Sequence, residues 1–324
     1  MKNIKNILEL IGNTPMAKLD LGTKPILLAK LEFLNPGGSL KDRSAIFMVE
    51  HAEKEGLLKP GGTIIEASSG NQGIALAMIG AVKGYKVIIT VPDRTSREKI
   101  DILRAYGATV YVCPTEDDLS NPEGYHSKAE ELHARIAGSF MPNQYFNKLN
   151  PMAHYRTTGK EIWEQTEGKI THLIVGAGSC GTISGAGRFL KEKNPEIKVI
   201  GVDAEDSAYS SKNPKAYNTE GIGIDVISET FDKSVIDEII PVGDDDAFEM
   251  TRILAKKGLL VGISSGAVMH IALNLCKKLS KTDVVVVLFG DSGRSYLSKV
   301  FAYNSLSYNS GYLQQDSKLA EKTI

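Results

Sequence analysis

Residues 171–191 of this 324-residue chain read THLIVGAGSCGTISGAGRFLK, a β-branched run followed by a glycine-rich turn and a helical pattern. A strand that leads through small residues into a helix is the repeating unit of a parallel sheet. Apolar runs of the same kind recur at TIIEA (63–67), VIITV (87–91), ATVYV (108–112), IKVIGV (197–202) and VVVVL (284–288). Continuous apolar strands indicate a sheet covered on both faces, so we expect a doubly wound α/β fold built from βαβ units in two lobes.

The composition is that of an ordinary globular protein whose partners are small molecules. Hydrophobic residues make up 42% and charged residues 24%, enough for two modest domains or one large one. The 38 basic residues nearly balance the 39 acidic ones, so no overall field favours nucleic acid or an anionic membrane surface. We also expect no signal peptide, no membrane-spanning helix, which needs about 20 apolar residues, and a loosely held polar tail at residues 313–324.

The cysteines and histidines do not indicate a metal site. The chain has an odd number of cysteines, which are widely spaced and form no CxxC pair: Cys113, Cys180 and Cys276. The histidines are scattered along the chain. We therefore expect reduced thiols, a cytoplasmic location and no bound metal.

The stretch NPGGSLKDRSA (35–45) places Lys41 between a turn and an apparent helix. The positive end of that helix and the neighbouring Arg43 should both lower the pKa of the amine. A lysine with a lowered pKa can form an imine or abstract a proton. A solvated lysine in a loop gives the same local pattern, so this stretch alone leaves both interpretations open.

A second strand-to-helix turn, EASSGNQGIALA (66–77), has small residues with free backbone amides at the start of a helix. Such a turn binds a carboxylate or a phosphate. Its other interpretation is a well-capped turn, and the same geometry serves both.

The opening stretch also contains a formal G-x-G-x-x-G at Gly176, Gly178 and Gly181, and Asp203 follows the next apolar run. This arrangement is typical of nicotinamide-dinucleotide enzymes, so an NAD-binding oxidoreductase is an alternative from another class. Thr182, however, adds a hydroxyl that suits a monoester phosphate. The dehydrogenase interpretation also leaves the lysine motif without a role.

Two further turns contain serines and an acid. Ser264 and Ser265 open a predicted helix, where serine is usually an N-cap. The stretch VVVVLFGDSGRSY (284–296) ends a buried strand with Asp291 and Ser292, which in this pattern start the last helix.

Taken together, these stretches resemble the cysteine synthase and cystathionine β-synthase family, the β-replacement branch of the fold-type II (tryptophan synthase β-like) pyridoxal-phosphate enzymes. The resemblance runs in order from about residue 4 to 312 and includes IGNTPMAKL (11–19). It implies pyridoxal 5′-phosphate as the cofactor. It also implies a large cofactor-binding domain, residues 1–40 plus 145–312, and a smaller, mobile substrate-side domain, residues 41–144.

The family's motifs assign roles residue by residue. NPGGSLKDR implies that Lys41 is the catalytic residue and holds the cofactor as a Schiff base, and ASSGNQG implies that Asn71 meets the cofactor's 3′ oxygen. GSCGT resembles the phosphate-binding turn, and Ser264 matches the serine that faces the pyridine nitrogen. The implied cofactor-binding residues are Lys41, Asn71, Gly178, Ser179, Cys180, Gly181, Thr182 and Ser264. The implied substrate-binding residues are Ser68, Ser69, Gly70, Gln72, Gln144 and Gly221.

Several details favour the cystathionine β-synthase branch, and its catalytic core alone. CPT (113–115) with Pro122-Glu123, NQYFNKLNPMAHY (143–155) and DSGRSYLSKVF (291–301) resemble that branch. Three positions depart from the family pattern: Ile224 replaces a frequent tyrosine, Cys180 a glycine and Gly290 a common proline. Ile224 leaves the incoming nucleophile open, and the side chain of Cys180 must point away from the phosphate.

The resemblance implies β-replacement on L-serine or an activated serine through an aminoacrylate, with homocysteine as the nucleophile. Cysteine synthase, from O-acetylserine and sulfide, and cysteine desulfhydrase are the alternatives within the family. A catalytically silent protein that only binds other enzymes is a further alternative, which the intact Lys41, Asn71 and Ser264 disfavour. We expect small amino acids and a thiol or sulfide as partners, and a homodimer.

Overall fold

All six predicted strands are present in the computed structural model, which describes residues 4–114, 122–224 and 227–302. The strands there are β1 (Met16–Lys18), β2 (Ile26–Leu31), β3 (Thr63–Ala67), β4 (Lys86–Pro92), β5 (Thr109–Cys113), β6 (His172–Gly176), β7 (Lys198–Ala204), β8 (Glu238–Val242) and β9 (Val284–Phe289). The helices are α1 (Lys41–Lys54), α2 (Asn71–Lys83), α3 (Arg97–Ala105), α4 (Tyr125–Arg135), α5 (Leu149–His154), α6 (Lys160–Gln165), α7 (Gly181–Lys193), α8 (Asp244–Lys256) and α9 (Ile263–Cys276). Short 3₁₀ turns lie at Ile7–Leu10, Glu32–Leu34 and Gly293–Tyr296, and a π-helical turn at Tyr155–Gly159 joins α5 to α6.

The strands form two sheets. The larger has the order β1-β2-β9-β6-β7-β8 and the smaller the order β3-β4-β5. All neighbouring strands are parallel except β1, which pairs antiparallel to β2 at the edge. The expected α/β fold with two βαβ lobes is therefore confirmed, with one antiparallel edge strand that the apolar runs did not indicate.

The central strand β9 explains why the larger sheet is covered on both faces. Val285 and Val287 pack with residues of α8 and α9 in one apolar cluster. Val286 and Leu288 pack with residues of α7 in another. Because successive side chains of a strand point to opposite faces, each cluster takes alternate residues of one apolar run.

The smaller sheet has its own core. Val49 of α1, Leu76 of α2 and Leu103 of α3 pack with Ile64 and Ile89 of the sheet. The domain boundaries at residues 40/41 and 144/145 stay predictions. Thr115 of the CPT motif and the polar tail at 313–324 lie outside the described residues.

Backbone contacts place the start of α1 at the carboxyl end of β9. The N–H of Leu40 donates to the carbonyl oxygen of Gly290 at 2.9 Å, and Ser39 and Asp291 form an isolated β-bridge. Open α/β sheets bind their ligands at this edge.

Candidate active site

A cleft of about 420 Å³ lies at the carboxyl end of the larger sheet and contains residues of both lobes. The helices α1, α2, α7 and α9 each begin at or within one residue of its wall. Of the predicted site residues, the wall contains Lys41, Asn71, Gly178, Ser179, Cys180, Thr182, Gly221 and Ser264. Leu40, Gly176, Gly290 and Asp291 complete the wall. The fold thus brings together side chains that are distant in the sequence.

Lys41 is the first residue of α1, and its Nζ lies 3.4 Å from Oγ of Ser179. Desolvation lowers the pKa of this amine to about 8, although Cys180 and Asp291 act in the opposite direction. About a tenth of the amine is therefore unprotonated at neutral pH, far more than for an ordinary lysine. The predicted lowering of the pKa of Lys41 is confirmed, but burial causes it and not the charge of Arg43.

Arg43 belongs to a buried group of four charges behind the lysine loop. Its Nε donates to Oε2 of Glu32 at 2.7 Å and its Nη1 to Oε1 of Glu161 at 2.6 Å. Lys30 Nζ lies 2.6 Å from Oε2 of Glu161. Burial opposes ionisation, yet Arg43 and Lys30 hold the pKa of Glu161 at about 2. Since two cations face two anions, little of the charge of Arg43 is left to act on the amine of Lys41.

The turn between β6 and α7 can present backbone N–H groups to an anion. The helix begins at Gly181, so the amides of its first turn have no acceptor within the helix. A Cβ on Gly178 would lie 3.0 Å from the carbonyl oxygen of Gly221, a close approach that glycine permits. Small residues at a helix N-terminus suit a phosphate group.

Hydrogen bonds from other segments hold Ser179 at the centre of this turn. Asn150 Nδ2 donates to Oγ of Ser179 at 3.2 Å. The carbonyl oxygen of Ser179 accepts from Oγ of Ser228 at 3.0 Å and from the hydroxyl of Thr230. The position of the turn is therefore fixed from both sides.

Thr182 carries a hydroxyl in the first turn of α7. Its Oγ1 lies 3.2 Å from Nε2 of His154. Burial, together with the charges of Arg43 and Lys41, keeps the pKa of His154 well below its usual value. The imidazole is neutral, with one donor and one acceptor nitrogen, so it can orient the hydroxyl of Thr182.

Cys180 adopts a left-handed conformation with φ of 60°, a region in which glycine is strained least. Its thiol is buried close to Tyr209, and burial raises its pKa to about 12. It therefore remains a thiol. The contact with Tyr209 supports the prediction that this side chain avoids a phosphate in the turn.

Asn71, Gly221 and Ser264 enter the cleft from three other segments. Asn71 Nδ2 donates to Oδ2 of Asp291 at 2.7 Å. A Cβ on Gly221, whose φ is 91°, would lie 3.1 Å from Oγ of Ser264. The cap residue of α9 is Gly262, so Ser264 is not the N-cap that its place in the sequence suggested.

The predicted residues outside the wall are Gly181 and the substrate-side residues Ser68, Ser69, Gly70, Gln72 and Gln144. Ser68 Oγ accepts the N–H groups of Gly70 at 3.2 Å and Gly73 at 3.1 Å. Ser68 thus stabilises the start of α2, as the well-capped interpretation of this turn expects. Ser69, in contrast, is exposed.

Gln72 and Gln144 are buried beside the cleft. Gln72 Oε1 accepts from Oγ of Ser44 at 3.3 Å, whereas its Nε2 has no hydrogen-bond partner within the described ranges. The backbone N–H of Gln144 donates to Glu66 at 3.1 Å, and its carbonyl oxygen accepts from Asn150 at 2.8 Å. A buried donor without a partner is costly, so Gln72 has an N–H group available for a ligand.

The acid Asp291 is the main site residue that sequence reasoning missed. It is buried in the wall, accepts from Asn71, and also accepts from Oη of Tyr296 at 2.6 Å. Lys99 Nζ donates to Oη of Tyr296 at 3.1 Å and to Oε2 of Glu220 at 2.6 Å. Asn71, Lys99 and Glu220 lie on segments far from Asp291 and Tyr296, so no short-range pattern could have brought them into one network.

Asp203 does not have the free carboxylate that a dinucleotide site needs. It is fully buried, and both of its oxygens accept from Oγ of Ser207 at 2.8 Å. Oδ2 also accepts from Oγ of Ser210 at 2.7 Å. Because two serine hydroxyls already donate to this carboxylate, the NAD-binding alternative, in which the acid binds ribose hydroxyls, is disfavoured.

The described residues contain no metal site, no membrane-spanning helix and no disulfide. In the described ranges, no group of three or more histidine, cysteine or acidic side chains could hold a metal ion. Among the helices there, none has both the length and the apolar character needed to cross a membrane. Cys113, Cys180 and Cys276 are unpaired and buried.

Comparison with known proteins gives consistent matches. The model of the family described as pyridoxal-phosphate dependent enzyme matches residues 7–291. Cystathionine beta-synthase of Apis mellifera is 46% identical over 97% of this chain, which spans 64% of that relative's length. The O-acetylserine dependent cystathionine beta-synthase of Bacillus subtilis is 43% identical over 92% of this chain and 98% of its own. A hydrogen sulfide-producing enzyme from Fusobacterium nucleatum superposes with a TM-score of 0.87 at 41% identity, covering 91% of this chain and 100% of its own.

Proposed function

Because this chain belongs to the family of pyridoxal-phosphate-dependent enzymes, we propose that it replaces the β-substituent of L-serine, or of an activated serine, with homocysteine. This is the reaction type of the relatives named cystathionine beta-synthase in Apis mellifera and Bacillus subtilis. One observation carries the proposal: a desolvated lysine, a glycine-rich helix start and a serine hydroxyl meet in one cleft.

The chemistry of the wall fits pyridoxal 5′-phosphate. The free amides at the start of α7 and the hydroxyl of Thr182 suit a phosphate monoester. Lys41 supplies an amine with a lowered pKa. When bound, the cofactor withdraws electrons from Cα of an attached amino acid, which allows the β-substituent to leave. We assign its binding to Lys41, Asn71, Gly178, Ser179, Cys180, Gly181, Thr182 and Ser264.

Lys41 carries out the proton transfers in this proposal. With a pKa of about 8, its amine can accept the proton from Cα of the substrate. As an ammonium, it can then protonate a departing β-hydroxyl. An acetate leaving group departs without this proton, so an acetylated donor needs Lys41 mainly as a base.

The start of α2 holds the substrate carboxylate in this proposal. Gln72 offers a buried N–H group that has no partner among the described residues. The exposed Ser69 adds a hydroxyl, and Ser68 keeps the amide of Gly70 in place at 3.2 Å. Gln144 lies buried nearby, on a loop tied to the phosphate turn through Asn150. The amides and hydroxyls of such a turn suit a carboxylate.

Ser264 faces the pyridine nitrogen of the cofactor in this assignment, and Gly221 lies beside the substrate. A neutral hydroxyl does not keep that nitrogen protonated as a carboxylate would. With Ser264 in this place, the bound cofactor would stabilise less negative charge at Cα, which would favour loss of the β-substituent over transamination.

The names of two similar proteins support a different donor and a different reaction. The Bacillus subtilis relative is named O-acetylserine dependent, which favours an acetylated donor over serine. The Fusobacterium nucleatum structure is of a hydrogen sulfide-producing enzyme, which makes cysteine desulfhydrase the second candidate function. Cysteine synthase, from O-acetylserine and sulfide, is the remaining alternative, because Ile224 leaves the nucleophile open.

A matrix of substrates tests the proposal. Protein loaded with pyridoxal phosphate is given serine, O-acetylserine or cysteine, each alone and with homocysteine or sulfide. Amino-acid products are measured by mass spectrometry, and released sulfide is measured where none was added. We expect cystathionine from homocysteine with at least one donor. Lys41→Ala should form none, while the exposed Lys59→Ala should match the wild type. If homocysteine is not consumed with any donor, the proposed nucleophile is wrong, and sulfide released from cysteine alone would identify a desulfhydrase.

We also propose the domain division at residues 1–40 plus 145–312 and 41–144, a cytoplasmic location and a homodimer. The separate small sheet and its own core support the division. The three unpaired cysteines are compatible with a reducing compartment.

A further inference from the structure

Asn71 is connected to the opposite lobe by a carboxylate. It is the first residue of α2, next to the small sheet, whereas Asp291 follows β9 of the large sheet. Asn71 Nδ2 donates to Oδ2 of Asp291 at 2.7 Å, and both residues lie in the wall of the cleft. Asp291 is buried, so this bond is shielded from water.

We propose that Asp291 is a positioning residue that fixes the amide orientation of Asn71, so that an N–H group of Asn71 points to the cofactor's 3′ oxygen. The inference rests on the proposed function, in which Asn71 binds that oxygen. An amide presents either its oxygen or its NH₂ group, whereas a carboxylate only accepts. A carboxylate beside Asn71 therefore selects the NH₂ group and leaves the second hydrogen of Nδ2 for an acceptor in the cleft.

Asp291 is itself held in one orientation. Tyr296 Oη donates to the same Oδ2 at 2.6 Å. Oδ1 lies only 1.9 Å from the position that a Cβ on residue 262 would take, so it packs against the backbone of Gly262. Oδ1 has no hydrogen-bond partner among the described residues. A buried carboxylate oxygen without a partner is rare and needs a reason, and the orientation of Asn71 provides one.

The bond to Asn71 does not depend on full ionisation of the acid. Burial raises the pKa of Asp291, against the opposing effects of Lys99, Tyr296 and Asn71. Both hydrogen bonds end on Oδ2, so a proton on Oδ1 leaves them in place.

A double-mutant cycle tests the inference. Asp291→Asn keeps the shape but can present either end of an amide to Asn71, so the orientation of Asn71 is no longer selected. We expect pyridoxal phosphate to bind about tenfold more weakly, as for a lost hydrogen bond to a charged group. The ratio of the cofactor's visible and near-ultraviolet bands should also change, because it depends on hydrogen bonding at the 3′ oxygen. In the Asn71→Ala background, Asp291→Asn should change neither quantity by more than about twofold.

Ser292→Ala is the matched control and should behave as the wild type, since the hydroxyl of Ser292 accepts from the N–H of Arg294 at 3.3 Å and has no other partner among the described residues. Equal losses from Asp291→Asn with and without Asn71 would overturn the inference. Asp291→Ser is measured in parallel, and failure of both variants to fold would assign Asp291 a purely structural role and also overturn it. A wild type that binds no pyridoxal phosphate would contradict the proposed function itself, whereas a loaded wild type with an unaffected Asp291→Asn contradicts only this inference.

Discussion

Replacing Gly181 by alanine should damage both stability and cofactor binding, because Asn150 occupies the space beside it. A Cβ at this position would lie 2.1 Å from Oδ1 of Asn150 and 2.5 Å from its Nδ2. Asn150 would have to move, although it donates to the carbonyl oxygen of Gln144 at 2.8 Å and to Oγ of Ser179 at 3.2 Å. Overpacking and the loss of two buried hydrogen bonds should together destabilise the fold by about 3–5 kcal/mol.

Urea unfolding of the cofactor-free protein measures the stability, and titration with pyridoxal phosphate measures the binding. Gly187→Ala, in the same helix, is the control. Its Cβ would meet side-chain methyl groups of Val199 at 3.0 and 3.5 Å and of Val235 at 3.6 Å, and alanine gains about 1 kcal/mol in helix propensity. We expect this control to stay within about 1 kcal/mol of the wild type. If Gly181→Ala were as stable as Gly187→Ala and bound cofactor equally well, the argument from Asn150 would be refuted.

Three further predictions concern other parts of the molecule. Arg43→Ala leaves Glu32 buried without its partner and should cost about 3–5 kcal/mol in urea unfolding; a loss below about 1 kcal/mol would contradict the role of the charge group. Burial raises the pKa of Glu66 from 4.5 to about 7, so between these values the folded state retains a proton that the unfolded state has lost, and stability should fall as pH rises. Burial also raises the pKa of Asp42 to about 7, so Glu66→Gln should make this slope shallower without abolishing it, and an unchanged slope would contradict the raised pKa of Glu66. If the smaller domain moves on binding, amides of residues 63–113 should exchange more slowly when substrate is added, while those of β9 serve as the control; equal exchange rates would count against a mobile domain.

Apolar runs predicted β3, β4, β6, β7 and β9 because most residues on both faces of those strands are buried. The run in β5 predicted its strand as well, although this edge strand leaves Tyr111 and Val112 exposed. The three strands that were missed lack such runs for identifiable reasons. β8 lies at an edge of the sheet and contains Pro241, which edge strands tolerate. β1, at the other edge, is only three residues long. In β2 the run is interrupted by Lys30, whose burial depends on the distant Glu161, a partner that local patterns do not reveal.

In the active site, too, local sequence patterns do not reveal partners that are distant in the chain. The glycine-rich turns could be predicted because each is a local strand-to-helix pattern. The lysine loop was assigned through the family resemblance, since its own pattern left two interpretations open, and the fold brings loop and turns to one cleft. The partner of Asn71 could not, because Asp291 is 220 residues away in the chain. Arg43 showed how a local argument fails: its charge is balanced by Glu32 and Glu161, so desolvation and not a neighbouring cation lowers the pKa of Lys41.

The most direct test of the account is to identify the amine that holds the cofactor. Sodium borohydride fixes pyridoxal phosphate covalently to that amine, and peptide mapping by mass spectrometry then locates the modified residue. We expect a single modified peptide that contains Lys41, with the label absent from Lys41→Ala. Labelling at another lysine, or none in a protein that remains folded, would contradict the central claim.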